Sequence, residues 1–367
     1  MNEMYLRKLS LLNFKNHPER NADFSDRINA IVGDNGSGKT NLLDAIYYLS
    51  FGKSFLNPFD SQNTTHGSEY FMIQGYYFRK GKDEKLHVGF SNQGKKLCKK
   101  NDKAYSRLAD HIGHLPLVII APYDTELILG GSDLRRKFMD GIIAQYDKTY
   151  LEHLLHYKKA LKQRNNLLKA FREHGRFDEL TLSIWNEHLI ANGAPIFEKR
   201  KQLMDEISEI FVSTYQELSG GKERPSILYS SELHDNDFEK LLSEALQRDR
   251  TAMNTSVGIH RDDLIFDLEG YPIKKTGSQG QQKTFLLSLK LSQFDLIHKK
   301  HGIKPILLLD DIFDKLDENR IKALLRMVSA DHFGQIFISD TNQQRVERWF
   351  SEIEIEPRIL KIESDVH

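Results

Sequence analysis

Two hydrophobic periods alternate along this chain of 367 residues. From about residue 4 to 118, short apolar and aromatic runs at 28–32, 70–73, 75–78 and 117–120 are separated by turn-forming residues. Such runs predict strands, and the polar stretches 80–85 and 92–103 predict hairpin turns. Near Ser132 the period changes. Leu151, Leu154, Leu155, Leu161, Leu167 and Leu168 mark an apolar stripe at helical spacing, and Ile196, Leu203, Ile207, Ile210 and Phe211 mark a second within 185–215. Glycine and proline almost vanish between 132 and 219, so two long helices running out and back are predicted, stopped by Ser219-Gly220-Gly221. Beyond about 253, strand and helix alternate again, with strands at 306–309 and 335–338 around a helix at 318–328. A helical insertion therefore splits one α/β domain into two sequence halves, 1–128 and 250–367, with an arm at 129–249.

Composition narrows the class. Hydrophobic residues make up 39% and charged residues 28%, which predicts a folded, soluble protein with a core. No apolar run approaches the roughly 18 residues that span a bilayer, and residues 1–8 lack the layout of a secretory signal. A cytoplasmic location is expected. The single cysteine, Cys98, excludes an internal disulfide and a cysteine-based metal cluster. Lys plus Arg and Asp plus Glu are both 52, so bulk charge gives no support for a nucleic-acid partner.

The chemistry begins directly after 28–32. Gly33-Asp34-Asn35-Gly36-Ser37-Gly38-Lys39-Thr40 matches G-x-x-x-x-G-K-[ST] in full and runs through Asn41 into a helix with Leu42, Leu43 and Ile46 on its apolar face. Glycines let the backbone curl its N–H groups around a phosphate chain, and the helix adds the positive end of its dipole. Lys39 is placed to reach the β- and γ-phosphates, and Thr40 to bind Mg²⁺. Alone, this loop leaves kinase, GTPase and motor open. The run at 306–309 ends in Asp310-Asp311. A continuous apolar run reads as a buried parallel strand, and ligands gather at the carboxyl ends of such strands. Asp310 is the expected Mg²⁺ ligand beside Thr40. Asp311 is expected to orient or deprotonate the attacking water, with Lys39 as its catalytic companion. Many P-loop ATPases carry Glu there, and Asp is one methylene shorter. Two aspartates capping the next turn are the plainer alternative.

Thr276-Gly277-Ser278-Gln279-Gly280-Gln281-Gln282-Lys283-Thr284 precedes an apolar helix containing Phe285, Leu286, Leu287, Leu289 and Leu291. It resembles the signature loop of the ATP-binding-cassette superfamily, where a hydroxyl, small residues and free helix N–H groups make an anion site. That resemblance implies that Ser278, Gln279, Gly280 and Gln281 face the γ-phosphate bound by another subunit. An ordinary polar loop capping a core helix is the alternative. Leu316-Asp317 sits where cassette ATPases have a loop at the dimer interface. Where the superfamily often has a γ-phosphate-sensing His, this chain has Ser339-Asp340-Thr341-Asn342, which leaves Thr341 or Asp340 as substitutes.

Further segments complete a pattern across nearly the whole chain: Leu12-Asn13-Phe14-Lys15-Asn16, Gly52-Lys53-Ser54-Phe55, Ala121-Pro122-Tyr123-Asp124, Gly131-Ser132 and Arg135-Arg136-Lys137-Phe138-Met139-Asp140. Gly258-Ile259-His260-Arg261-Asp262-Asp263-Leu264 is the most specific, followed by Asp310-Asp311-Ile312-Phe313-Asp314-Lys315-Leu316-Asp317. Together they resemble the RecF family, bacterial DNA-repair ATPases of the SMC-like branch of the cassette superfamily. The resemblance implies an ABC-type P-loop ATPase head with mixed sheets, interrupted by an α-helical arm. It implies ATP and Mg²⁺ as cofactors, weak DNA-stimulated hydrolysis and an ATP-dependent homodimer. It implies binding of double-stranded DNA near single-strand gaps, and work with RecR and RecO to load RecA in replication, recombination, repair and the SOS response. By analogy with related heads, Lys15-Asn16 touches the nucleotide phosphates. The segment 258–263 carries identity rather than chemistry, since its residues alone read as a charged turn whose Arg and Asp pair.

Lys158, Lys159, Lys162, Arg164, Lys169 and Arg172, with Arg176, offer a basic cluster on the arm, and Lys95, Lys96, Lys99, Lys100 and Lys103 offer another. Either suits DNA phosphates, or a solvated face. A small-molecule kinase has no use for a signature loop. A transporter subunit shares every nucleotide motif but not the long helical insertion. A nuclease with a similar head needs an additional acidic domain, for which this length leaves no room.

Overall fold

Five parallel strands lie in the spatial order Arg358–Lys361, Ile28–Val32, Ile336–Asp340, Ile306–Asp310, Leu117–Ile120. The computed structural model describes residues 3–313 and 316–363, so Asp314 and Lys315 of the run after Asp310 lie outside the described residues. Ile28–Val32, Ile306–Asp310 and Ile336–Asp340 are buried at every position. This is the reason their sequences are mostly apolar without alternation, the polar exceptions being Asn29 and the strand-end residues Asp310, Ser339 and Asp340.

A six-stranded antiparallel sheet runs in the order His17–Asp23, Met4–Phe14, Tyr70–Arg79, Lys82–Ser91, Lys95–Lys100, Lys103–Ala104. Helix Lys39–Phe51 packs against strands of both sheets, and nine of its 13 residues are buried. Leu42, Leu43, Ile46 and Leu49 share one core with Leu6, Leu11, Phe14, Ile73 and Val88. Each such side chain contributes about 1.5–3 kcal/mol by leaving water.

Two expectations are corrected here. The runs 70–73 and 75–78 are a single strand, because Gly75 is not a break: a Cβ there would lie 2.7 Å from Leu49. The stretch 92–103 is not all turn, because Lys95–Lys100 pairs with Lys82–Ser91. Its lysines are accommodated by ion pairs, Lys96 to Asp60 at 2.8 Å and Lys100 to Glu84 at 3.1 Å, and Cys98 is buried.

The chain forms two compact units: Met1–Asp124, Ser213–Lys222 and Gln279–His367 in the first, Thr125–Val212 and Glu223–Ser278 in the second. The division differs from the sequence halves at 250. Residues 250–278 group with the second unit because Asp263–Leu268 pairs with Pro225–Ser230 and Tyr271–Pro272 in a three-stranded sheet, and helix Phe238–Ala252 packs on Lys148–His174.

The out-and-back helices are Lys148–His174 and the 41-residue Glu179–Ser219. Asp147 caps the first, accepting from the Tyr150 N–H at 2.9 Å, and Gly175 ends it at φ 64°. Its buried face is Tyr150, Leu154, Tyr157, Ala160, Arg164 and Leu168, while Leu155 is exposed. Arg164 therefore belongs to the interior and not to a DNA-facing cluster. Its guanidinium is fully buried, paired to Asp249 at 2.7 Å and donating to Thr255 at 2.8 Å and Asn186 at 2.7 Å. A second buried cation, Arg200, pairs with Asp140 at 2.8 Å and Asp262 at 2.7 Å, and donates to the Ile259 carbonyl at 2.7 Å.

Candidate nucleotide-binding site

Strand Ile28–Val32 delivers the chain into the glycine-rich loop at a point of close approach. A Cβ on Gly33 would lie 2.2 Å from the Ile362 carbonyl oxygen. Gly38 has φ 106° as the N-cap of helix Lys39–Phe51, and a Cβ there would lie 2.6 Å from Asn16. Asn16 and His17 wrap the loop. The Asn41 amide donates to Asn16 at 2.7 Å, and the His17 ring meets the Gly38 carbonyl at 3.1 Å.

Lys39 Nζ donates to the carbonyls of Gly33 at 2.7 Å and Asp34 at 2.8 Å, closing the loop on itself. Burial lowers the lysine's pKa from its ordinary value, against the pull of Asp311, Asp310 and Asp340. Lys15 forms an ion pair with Asp44, both side chains being buried. Burial lowers the pKa of Lys15, and Asp44 opposes this.

The parallel register brings Asp310 to the first turn of that helix. Thr40 Oγ1 donates to Asp310 Oδ1 at 3.0 Å, and Ser339 Oγ donates to the same oxygen at 2.7 Å. Burial raises the Asp310 pKa from its ordinary value, and those two hydrogen bonds oppose the rise. Asp311 sits in the left-handed region at φ 49°, with its N–H on Ser339 Oγ at 2.9 Å. Its Oδ1 is buried without a hydrogen-bond partner among the described residues. A non-glycine residue held there stores about 1–3 kcal/mol, a cost that clusters at working sites.

Asn35, Gly36, Lys39, Thr40, Asp311 and Ser339 line a cavity of about 250 Å³. A second cavity of about 570 Å³ also reaches Asn41 and is lined by Lys15, Phe55, Asn57, Gln62 and Tyr123. Among the described residues no group of three or more His, Cys, Asp or Glu side chains is placed to hold a metal. A hydroxyl, one buried carboxylate and a second carboxylate with an orphaned oxygen instead suit a hydrated Mg²⁺, which takes one or two protein ligands and completes its shell with phosphates and water.

Ser339 is the residue that sequence reasoning passed over. Its signal was a small polar side chain at the end of an otherwise apolar strand beside Asp310. Asp340, weighed as a sensor, accepts from Arg345 Nη2 at 2.6 Å and from the Asn342 N–H at 2.7 Å.

Ser278 and Gln279 are exposed at the start of helix Gln279–His301. Thr284, Ser288 and Ser292 bond back to carbonyls four residues earlier at 2.7–2.9 Å, so their hydroxyls are satisfied inside the core. Arg320 Nε donates to Thr284 Oγ1 at 2.5 Å and Arg320 pairs with Asp317, tying the expected interface loop to that helix. Asp317 also caps helix Glu318–Ser329, accepting from the Arg320 N–H at 3.0 Å. Lys158, Lys159, Lys162, Lys169 and Arg172 are exposed on their helix.

A family model described as RecF/RecN/SMC N terminal domain matches residues 5–358. The chain is 50% identical over 344 residues to the DNA replication and repair protein RecF of Flavobacterium johnsoniae, covering 94% of this chain and 96% of that one. It is 46% identical to the protein of the same name from Phocaeicola vulgatus, over 98% and 97% of the two chains. Among solved structures, the recombination mediator protein RecF with ATP, of the RecFOR pathway, superposes with a TM-score of 0.89 at 32% identity, covering 99% of this chain and 97% of that one. An Smc head domain from Pyrococcus furiosus shares the fold at a TM-score of 0.54.

Proposed function

Because the chain belongs to the RecF family of DNA replication and repair proteins, we propose that it is a weak, DNA-stimulated ATPase that dimerises on ATP. In this reading it clamps double-stranded DNA near single-strand gaps, and works with RecR and RecO in the cytoplasm to help load RecA. The Thr40–Asp310 hydrogen bond at a complete phosphate loop is the observation that carries it. That a solved relative is described with ATP bound supports the choice of nucleotide.

The loop N–H groups and Lys39 bind the phosphate chain, Lys39 leaving its two carbonyls for the β- and γ-oxygens. The larger cavity beside Asn41 takes the nucleoside. Thr40 and Asp310 hold Mg²⁺, which supplies charge neutralisation at the phosphates. Asp311 aligns a water with the γ-phosphorus and accepts its proton as the bond to the ADP oxygen breaks. Ser278 of the partner subunit closes the γ-phosphate side, with Gln279, Gly280 and Gln281 beside it, and Asp317 lies in the loop at the same interface. The exposed cations Lys158, Lys159, Lys162, Lys169 and Arg172 meet DNA phosphates, so binding weakens steeply with salt.

The test is ATP hydrolysis per protomer across a range of protein concentrations, with and without double-stranded DNA. A rate that climbs with concentration and rises further with DNA is expected. A flat rate indifferent to DNA sinks the shared site and the clamp together. Ser278→Arg is expected to bind ATP normally yet stay monomeric in ATP by light scattering. Asp311→Asn is expected to bind ATP and dimerise while turnover falls about 100-fold or more, the range seen when a general base is removed.

A further inference from the structure

Gly258 to Asp263, the most family-specific run of the chain, lies at the start of strand Asp263–Leu268, and its last residue is gripped by one arginine. Arg135 Nε donates to Asp263 Oδ1 at 2.6 Å and Nη2 to Asp263 Oδ2 at 3.0 Å. The remaining face of the same guanidinium is also committed: Nη1 donates to the carbonyls of Leu127 at 3.2 Å and Gly130 at 2.9 Å. The Arg135 side chain is nearly buried, with 11% exposure. Only a planar fork reaches a carboxylate and two carbonyls at once; a lysine presents a point charge on a flexible stem.

The two things Arg135 joins both lead to Ser278. Asp263–Leu268 pairs with Tyr271–Pro272, which runs directly into helix Ile273–Thr276, and Gly277 and Ser278 follow. Helix Glu126–Leu129, whose end carries the two bonded carbonyls, packs against Ile273–Thr276, where Ile273 is fully buried. The strand start is held a second time, since Arg136 donates to the Asp262 carbonyl at 2.6 Å while the Asp262 side chain pairs with Arg200 at 2.7 Å. All of these residues belong to one compact unit. Strand, short helix and loop therefore follow one another directly, and Arg135 ties the start of the strand to the end of helix Glu126–Leu129, beside the sheet pairing with Pro225–Ser230.

We propose that Arg135, through its fork to Asp263, is a positioning residue for the signature loop, setting where Ser278 stands when it meets the nucleotide of the other protomer. This rests on the shared-site reading above. The loop touches phosphate only in the dimer, so loosening its base leaves nucleotide binding by a single protomer intact and weakens closure and turnover.

The experiment uses the full chain and mixes variants. Alone, Arg135→Ala is expected to bind a fluorescent ATP analogue within about twofold of the native protein, a split of binding from turnover that general unfolding does not produce. Its turnover falls about tenfold or more at matched concentration, the scale of a misplaced contact. Mixed in equal amounts with Asp311→Asn, activity returns, because the intact hydrolytic site of one protomer meets the intact signature loop of the other. Ser278→Ala, which removes the hydroxyl without the bulk that blocks pairing, mixed with Asp311→Asn is the control. If the control regains activity and the Arg135→Ala mixture does not, the positioning role is overturned while the shared site stands. If neither mixture regains activity, the shared site fails and the inference with it. Asp263→Asn, which keeps the shape of the acceptor and removes its charge, replaces Arg135→Ala if that variant does not fold, with the same outcomes.

Discussion

Replacing Lys39 with alanine is expected to reduce ATP hydrolysis about 100-fold or more, with binding lost along with turnover, because one group serves both. The ammonium donates to the Gly33 and Asp34 carbonyls at 2.7 and 2.8 Å. Burial already disfavours its charge, and the β- and γ-phosphates are the strongest compensation this concavity can receive. The variant keeps the sheets and helix that shape the loop, so its melting temperature without nucleotide should stay near the native value. The diagnostic measurement is the shift in melting temperature with ATP. It rises with the logarithm of ligand concentration in the native protein and should vanish in the variant. A variant that still gains stability from ATP would place the phosphates elsewhere.

The second large effect is on stability. Arg200→Ala is expected to cost about 3–5 kcal/mol in chemical denaturation at neutral pH, the range for removing one partner from a buried ion pair. It strands two carboxylates. Asp140 also accepts from Tyr150 at 2.5 Å, and Asp262 from Tyr229 at 2.5 Å, but neither phenol carries a compensating charge. Burial raises the pKa of Asp262 even with Arg200 present. Without the arginine it rises further, so the charged form is destabilising above the unfolded value, and protonation relieves that cost as pH falls. The stability gap between native and variant should therefore narrow as pH falls from neutrality toward the ordinary carboxylate range. A gap that is constant with pH would assign the loss to packing rather than charge.

Much of the nucleotide site was legible because its parts are consecutive and chemically constrained. Gly33 to Thr40 needs that composition to curl, and Ile306 to Leu309 needs unbroken apolar residues to lie inside a parallel sheet. What was not legible depends on side chains meeting across the fold. Ser339 could be seen as polar, but its bond to Asp310 follows from the register of two strands that are not adjacent in sequence. Arg164 was misread because a basic residue among lysines suggests a solvated face. Its spacing from Tyr150, Leu154, Tyr157, Ala160 and Leu168 places it on the buried stripe, and only Asp249, distant in sequence, makes that burial tolerable. The Lys15–Asp44 ion pair shows the same limit, since Asp44 lies on a helix that the sequence presented only as an apolar face. The segment 258–263 carried no visible chemistry because the cations that give Asp262 and Asp263 their purpose come from helices Ser132–Tyr146 and Glu179–Ser219.

The strand order also sets a calendar for biosynthesis. The phosphate loop is translated long before both sheet neighbours of its strand Ile28–Val32, which are Ile336–Asp340 and Arg358–Lys361. Until those segments leave the ribosome, the strand has no sheet partner, although Asn16 and His17 already stand beside the loop. Pairings between such distant segments are slow and leave hydrophobic surface open to aggregation and chaperones. Asp310, which meets Thr40, and the Ile362 carbonyl that borders Gly33 are likewise made only after the loop. The complete site thus exists only after the later strands are made, and a ribosome that stalls before them yields a loop without the carboxylate that meets Thr40.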